Sequence, residues 1–356
     1  MTPRGPMPAL VAVATAAAAL GALLATCGRD GPRAEADAFF EGYMDGDGRV
    51  VRRDQGGDTV SEGQAYAMLL AAAHGDRGRF DQAWRWTRDH LQRHDGLLSW
   101  HWRDGRVVDP SPAADADVDA ARALVLAGRR FGAPELTRAG VDLAEAVLEH
   151  ETIVAGEELV LAAGPWAVER RVVNPSYLAV CAFADLEEAT GDGRWGRLRA
   201  SALRMVEDLT AGGRLPPDWA QLDADGGARP VGPPAQPDRP PTYGLDASRV
   251  PFRLAEGCDR RGREMAARLW PRLRDLDAGG AAIAYSLDGE RRHAAEHPTG
   301  LVGAAAAARA AGEGGTADRL LSRAADLDQR VPTYYGSAWV AMGRTWLAGD
   351  PGSGDG

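Results

Sequence analysis

Carboxylates at the mouths of apolar helices are the residues of this chain best suited to chemistry. The run Thr59-Val60-Ser61-Glu62-Gly63-Gln64-Ala65-Tyr66-Ala67-Met68-Leu69-Leu70 sets an acid directly after Ser61, a residue type that caps helix N-termini, and ahead of a continuous apolar stretch. Two pressures act on Glu62. The helix macrodipole favours its ionised form, which by itself accounts for an acid in the first turn. Burial beside Tyr66 and Met68 acts in the opposite sense, raising the pKa toward the range in which a carboxyl donates a proton. A second group, Ala113-Ala114-Asp115-Ala116-Asp117-Val118-Asp119, brings acids at alternate positions into another apolar helix. Three such charges repel unless Arg, water or sugar hydroxyls hold them apart.

Aromatic residues are concentrated near these acids, although they make up only 6% of the chain. Trp84 and Trp86 fall on a helical pattern and read as core. Trp100 and Trp102, in Gly96-Leu97-Leu98-Ser99-Trp100-His101-Trp102, read as loop residues whose flat faces suit stacking on pyranose rings, Trp100 in particular. Two further motifs read as turns. Gly191-Asp192-Gly193-Arg194-Trp195-Gly196 has dinucleotide-type glycine spacing but joins two helices and follows no strand. Asp45-Gly46-Asp47-Gly48 begins like a calcium loop, but Arg49 takes the next ligand position and no Glu closes it.

The elements that must position these residues are helices. Apolar periodicity of helical type runs from about Ala34 to Leu347, punctuated by Gly, Pro and Asp. It predicts about twelve helices, near 34–44, 62–75, 78–93, 116–131, 133–150, 175–190, 195–211, 246–257, 260–276, 297–311, 313–329 and 333–348, in successive hairpins. The fold class is therefore all-α. A solenoid of helix pairs and a closed double ring of six inner and six outer helices both satisfy the pattern. Val168 to Val173 is the one strand-like exception, with Glu158 to Ala162 as its expected partner. The segment Gly212 to Gly244 carries eight prolines and delivers the chain into Asp246-Ala247-Ser248-Arg249. A domain linker and a functional surface loop both fit it, and the helix-pair rhythm that resumes afterwards favours the loop.

Composition narrows the chemistry. The chain has no Lys, so every one of its 41 basic residues is Arg, which excludes Schiff-base lysine chemistry and Walker-type phosphate loops. A net charge of −10 disfavours nucleic acid and anionic lipid as partners. Scattered His residues form no metal-binding pattern, and no cofactor is implied. Residues 1–27 read as an export signal: Arg4, an Ala-rich apolar run, then Leu24-Ala25-Thr26-Cys27, a lipobox-like ending that makes Cys27 a candidate lipid anchor. An uncleaved anchor helix is the alternative, and both place the remainder outside the cytoplasm. Cys181 and Cys258 are able to pair in an oxidising compartment, but their apolar helical surroundings favour packing as free thiols. Residues 349–356 are expected to form a disordered tail.

Taken together, Ser61-Glu62-Gly63-Gln64-Ala65-Tyr66-Ala67-Met68, Ala113-Ala114-Asp115-Ala116-Asp117, Asn174-Pro175-Ser176-Tyr177, Pro217-Asp218-Trp219 and Leu245-Asp246-Ala247-Ser248-Arg249 resemble, in that order, the blocks of glycoside hydrolase family 8. The resemblance runs from about Phe39 to Trp346 and implies an (α/α)6 barrel over residues 34–348. It implies Glu62 as proton donor to the glycosidic oxygen and Asp246 as the base that activates water. By the same resemblance Asp115 and Tyr177 bind the distorted sugar and position the water, Arg249 orients Asp246, and Trp100 is the stacking aromatic. Inversion of this kind places two carboxyl groups roughly 6.5–9.5 Å apart with water between base and sugar. The chain departs from the family at Ala114, Ala120 and Leu245, with Tyr243 two residues before the last block's Leu. These changes leave the carboxylates in place and bear on substrate preference. The closest likeness within the family is to cellulases associated with bacterial cellulose synthesis, so a β-1,4-glucan is the expected polysaccharide substrate. Chitosan- and xylan-cleaving members, and an inactive glycan-binding scaffold, are the alternatives.

Overall fold

A computed structural model describes residues 31–347 except residue 279. The expected signal with Cys27, and the expected tail, lie outside the described residues. Among the described residues, twelve helices of six residues or more form six pairs. The helices that line the interior are α2 (Ser61–His74), α4 (Ala114–Phe131), α7 (Val180–Thr190), α9 (Val250–Ala255), α11 (Pro298–Ala310) and α13 (Tyr334–Leu347). Outside them lie α1 (Pro32–Tyr43), α3 (Arg77–His90), α5 (Pro134–His150), α8 (Arg194–Leu209), α10 (Arg260–Ala278) and α12 (Gly314–Arg330). A single-turn helix, α6 (Pro165–Val168), sits in a connection.

Residue pattern dictates which layer each helix joins. In α2 every residue from Gly63 to Ala72 is buried, and in α11 Ala304 to Ala308 are buried in succession, so these helices are apolar on all sides and must be surrounded. Small Ala side chains allow their neighbours to approach closely. By contrast α8, α10 and α12 carry one apolar stripe and an Arg- and acid-rich outer face. Each inner helix packs on the next, from α2 through α4, α7, α9 and α11 to α13, and α13 packs back on α2 and on α1. The ring is therefore closed, an (α/α)6 barrel; of the two arrangements that periodicity permits, the solenoid is not formed.

Short strands decorate one end, and most were invisible to periodicity because each has only two to four residues. β1 (Thr59–Val60), β2 (His101–Arg103) and β3 (Arg106–Asp109) form an antiparallel sheet, with Val60 opposite His101. The expected pairing of Val168–Val173 with Glu158–Ala162 is not formed. β5 (Glu158–Leu161) instead pairs with β4 (Thr152–Ala155), and β6 (Val172–Val173) pairs with β7 (Trp219–Leu222), which turns back as β8 (Ala228–Val231). The partner of β6 lies in the Pro-rich segment, and that of β5 in the four residues before its own turn, stretches whose alternation is too short to register. That segment is stitched to the barrel by this sheet.

Two predicted helices are shorter than expected. In place of 175–190, Pro175–Tyr177 makes a 3-10 turn, and a tight turn centred on Leu178, its Ala179 N–H donating to the Tyr177 carbonyl at 2.8 Å, precedes α7. In place of 246–257, Asp246 precedes a 3-10 turn at Ala247–Arg249 that leads into α9. Ser61 is also not the N-cap of α2; that position is Val60, and Ser61 is the first helical residue, its N–H donating to the Trp100 carbonyl at 2.9 Å.

Cys181 and Cys258 form a disulfide across a sequence separation of 77, correcting the expectation of free thiols. Helical pattern reported their apolar surroundings but not that α7 and the turn after α9 are neighbours in the ring. The link closes a long loop, and by the chain-entropy model it contributes about 4 kcal/mol. Thermal unfolding after reduction and alkylation should show a melting temperature lower by several degrees; an unchanged value would show that ring closure alone holds these elements.

Candidate active site

Helix direction explains why functional side chains gather at one end. Because outer and inner helices alternate, the inner helices run the same way, and their N-termini, the positive ends of their dipoles, face a common end. Glu62 and Asp115 occupy the first turns of α2 and α4, Tyr177 precedes α7, Asp246 and Arg249 precede α9, and Tyr334 and Tyr335 begin α13. All six residues singled out by sequence therefore lie at this end. Trp100 is tied to it through its carbonyl, which receives the Ser61 N–H next to Glu62, while its own N–H donates to the Ser111 carbonyl at 3.1 Å.

Arg249 is the hub. Only 2% exposed, it donates from Nη1 to Asp115 Oδ2 at 3.0 Å and to the Tyr66 hydroxyl at 3.2 Å. From Nη2 it donates to Asp246 Oδ1 at 3.0 Å and to Ser176 Oγ at 2.6 Å. Its guanidinium also lies over the Tyr177 ring, 5.4 Å from the centroid. Asp246 receives a second hydrogen bond, from Asn174 Nδ2 to Oδ2 at 3.0 Å, and Asn174 also accepts the Ser176 N–H and hydroxyl. Both carboxylate oxygens of Asp246 are thus directed, while its side chain keeps 34% of its surface open.

Glu62 is different. It accepts no hydrogen bond from any described residue, and burial pushes its carboxyl up to about 7, with Asp115 and Asp246 raising it further against Arg249 and Arg52. Burial therefore acts against the helix dipole, which favours the ionised form. Gly63, the next residue, is required by close approach, since a Cβ there would meet the Tyr334 hydroxyl at 2.7 Å. Burial likewise raises the Asp115 carboxyl, with the Arg249 charge opposing.

The three alternate acids are held apart by separate partners. Asp115 faces Arg249, Asp117 Oδ1 accepts the Leu98 N–H at 2.8 Å, and Asp119 makes a bidentate pair with Arg253, 1% exposed, at 2.9 and 2.5 Å. Asp117 thereby anchors the loop leading to Trp100. Trp102 is half-buried, as Trp100 is, and lies in β2 against Trp86, at 5.4 Å and edge-on, with Arg49 stacked 4.4 Å from its ring. Trp84 and Trp86 are buried, as their helical pattern predicts.

Several site residues carried no role in the sequence reading. Asn174 and Ser176 stand in the block Asn174-Pro175-Ser176-Tyr177, but their bonds to Asp246 and Arg249 need the fold. Trp219 packs edge-on to Tyr177 at 6.4 Å and beside Trp166 at 6.4 Å, and Trp166 is 38% exposed. These three rings form one aromatic cluster that begins at Tyr177. Arg52 is paired with Asp58 at 2.7 Å, and Asp58 also bonds His101 at 2.7 Å, fixing the strand that follows Trp100.

A closed helical double ring that gathers Glu62, Asp115, Asp246 and their Arg249 hub at the N-terminal end of its inner helices defines the class of barrel to which this chain belongs. The sequence model for glycosyl hydrolases family 8 matches residues 6–349, and the chain belongs to that family. It is 35% identical over 222 residues to a protein named probable endoglucanase from Novacetimonas hansenii, covering 60% of this chain and 64% of that one. Among solved structures it resembles the endo-β-1,4-glucanase CMCax from Acetobacter xylinum, at 28% identity and a TM-score of 0.74, over 90% of this chain and 98% of that one. The fold alone is shared with a β-1,3-1,4-glucanase from Paenibacillus sp. X4, at 20% identity and a TM-score of 0.79, over 89% and 90% of the two chains. The matched segment spans about 64% of the length of the N. hansenii relative.

Proposed function

We propose that this chain is an inverting endo-β-1,4-glucanase, with Glu62 the general acid and Asp246 the general base. The observation that carries this reading is the contrast between the two carboxyls. Glu62 is unbonded and raised to about 7, so it holds a proton near neutral pH and has it free to give to the glycosidic oxygen. Asp246 has each oxygen hydrogen-bonded to a donor, Arg249 or Asn174, which holds the side chain in one orientation from which it can accept a proton from water. An unbonded, proton-holding acid and an oriented acceptor are the two roles that inversion requires. Asp115 and Tyr177 lie beside both and bind the sugar at the cleavage point, and Trp100 stacks on a neighbouring ring. The relatives and solved structures named for cellulose-type glucans support the choice of polymer.

Export belongs to the same proposal. A disulfide persists in oxidising compartments, and the N-terminal Leu24-Ala25-Thr26-Cys27 offers a lipid anchor that would hold the barrel at the cell envelope. The deciding assay is reducing-sugar release from carboxymethylcellulose, barley β-glucan, chitosan and xylan, with the anomer of the first product followed by NMR. Cleavage of the glucans with release of the α-anomer is expected. Preferred cleavage of chitosan or xylan would reassign the substrate, β-anomer release would refute inversion, and no cleavage of any polymer would favour the scaffold alternative.

A further inference from the structure

The side chain of Asp246 is held by Arg249 and Asn174, but a base also needs its backbone fixed, because the peptide at 246–247 sets where the carboxylate points. That backbone is held from a distance by an acid in the Pro-rich segment. Asp218 Oδ1 accepts the N–H of Gly244 at 3.0 Å and the N–H of Ala247 at 2.8 Å, and Oδ2 accepts the Thr242 hydroxyl at 2.9 Å. The Asp218 N–H in turn donates to the Thr242 carbonyl at 2.8 Å. One carboxylate thus clamps residues 242, 244 and 247, on both sides of Asp246.

The surroundings are shaped for this contact. A Cβ on Gly244 would meet Asp218 Oδ2 at 2.4 Å, so the glycine is what lets the carboxylate reach the turn. Asp218 is itself held in place by its neighbour Trp219, which begins β7 and pairs with β8, while β7 pairs with β6 just before Asn174. Asn174 and Asp218 therefore approach Asp246 from one small sheet, the first at its side chain and the second at its backbone.

We propose that Asp218 is a positioning residue of the hydrolytic reaction, one that fixes the turn carrying Asp246 in the orientation from which it activates water. The inference rests on Asp246 being the base. Burial and the Asp246 charge push the Asp218 carboxyl up to about 7, while the two N–H groups and the Thr242 hydroxyl oppose that rise. The clamp itself needs only an acceptor oxygen at Oδ1, and this distinguishes it from a role for charge.

The test measures kcat and KM on the polymer that wild type cleaves fastest, with thermal unfolding as a control. Asp218→Ala should lower kcat about 100-fold, the loss expected when a reacting group is misplaced by about 1 Å, and leave KM within about threefold. Asp218→Asn keeps the Oδ1 acceptor and should recover most of that loss. Gly244→Ala, which displaces the carboxylate from the other side, should lower kcat as Asp218→Ala does. A kcat for Asp218→Ala within about threefold of wild type would overturn the proposal, as would a loss that Asp218→Asn does not restore. If Asp218→Ala does not fold, Gly244→Ala and Asp218→Asn decide alone, normal kcat in the first or loss in the second counting against the clamp. Substantial turnover by Asp246→Asn would instead overturn the assignment of the base on which the inference rests.

Discussion

Glu62→Gln is expected to lower kcat on a glucan polymer by about 10³-fold while leaving helical content unchanged. Gln fills the same volume and, since Glu62 accepts no hydrogen bond from a described residue, leaves no protein donor without its partner. What it removes is the proton. The sign of the pH dependence follows from the raised carboxyl. Glu62 is protonated below about 7 and loses its proton as pH rises through that value, so wild-type activity should fall on the alkaline side with an apparent pKa near 7. In the Gln variant the residual activity should lack that limb. A substrate whose leaving group departs without protonation, such as a dinitrophenyl β-cellooligoside, separates the two carboxyls: it should restore much of the activity of Glu62→Gln and little of that of Asp246→Asn. Equal rescue of both variants, or persistence of the alkaline limb in Glu62→Gln, would mean that another group donates the proton.

How much of this was legible beforehand differs from residue to residue. The helix hairpins were readable because twelve apolar patterns recur with Gly and Pro between them, and their observed bounds differ from the predicted ones mainly where a 3-10 turn intervenes, before α7 and before α9. Those interruptions escaped because Leu178 to Phe183 and Ala247 to Leu254 continue the apolar pattern across a change in backbone. Ring closure was not readable, since it depends on α13 packing against α2, a contact between residues some 270 positions apart. Glu62 stood out through its place ahead of an apolar run, but the charges of Asp115, Asp246, Arg249 and Arg52 that act on it come together only in the fold. Asp115, Asp117 and Asp119 posed the question of how three like charges coexist, and the answer lies in Arg249, the Leu98 N–H and Arg253, which no local pattern connects. The Pro-rich segment hid the most. Its composition marks irregular chain, and the two-residue pairing of β6 with β7 that brings Asp218 and Asn174 to Asp246 leaves no periodic trace.

Arg249 shows what a site built from like charges requires. Glu62, Asp115 and Asp246 interact electrostatically, and Arg249 bonds two of them while lowering the pKa of the third. Its fork reaches four acceptors at once, the Asp115 and Asp246 carboxylates, the Tyr66 hydroxyl and Ser176 Oγ, from two nitrogens. Lys presents three donors on a single nitrogen and cannot span that set, so Arg249→Lys keeps the charge but loses the geometry. Arg249→Met keeps volume and loses both. Removing one partner of a buried pair leaves an uncompensated charge and costs about 3–5 kcal/mol, so Arg249→Met should unfold at clearly lower denaturant concentration than Arg249→Lys. Both should lose about 100-fold or more in kcat, because Asp246 then keeps Asn174 alone to aim it. Their pH profiles should differ. Without the cation that opposes its rise, the Glu62 carboxyl in Arg249→Met should titrate higher, and the alkaline limb of any residual activity should move up in pH, whereas in Arg249→Lys the retained charge should keep the limb nearer its wild-type place. Near-normal turnover in Arg249→Lys would show that charge alone suffices there. An alkaline limb that does not move in Arg249→Met would show that the cation does not govern the proton on Glu62.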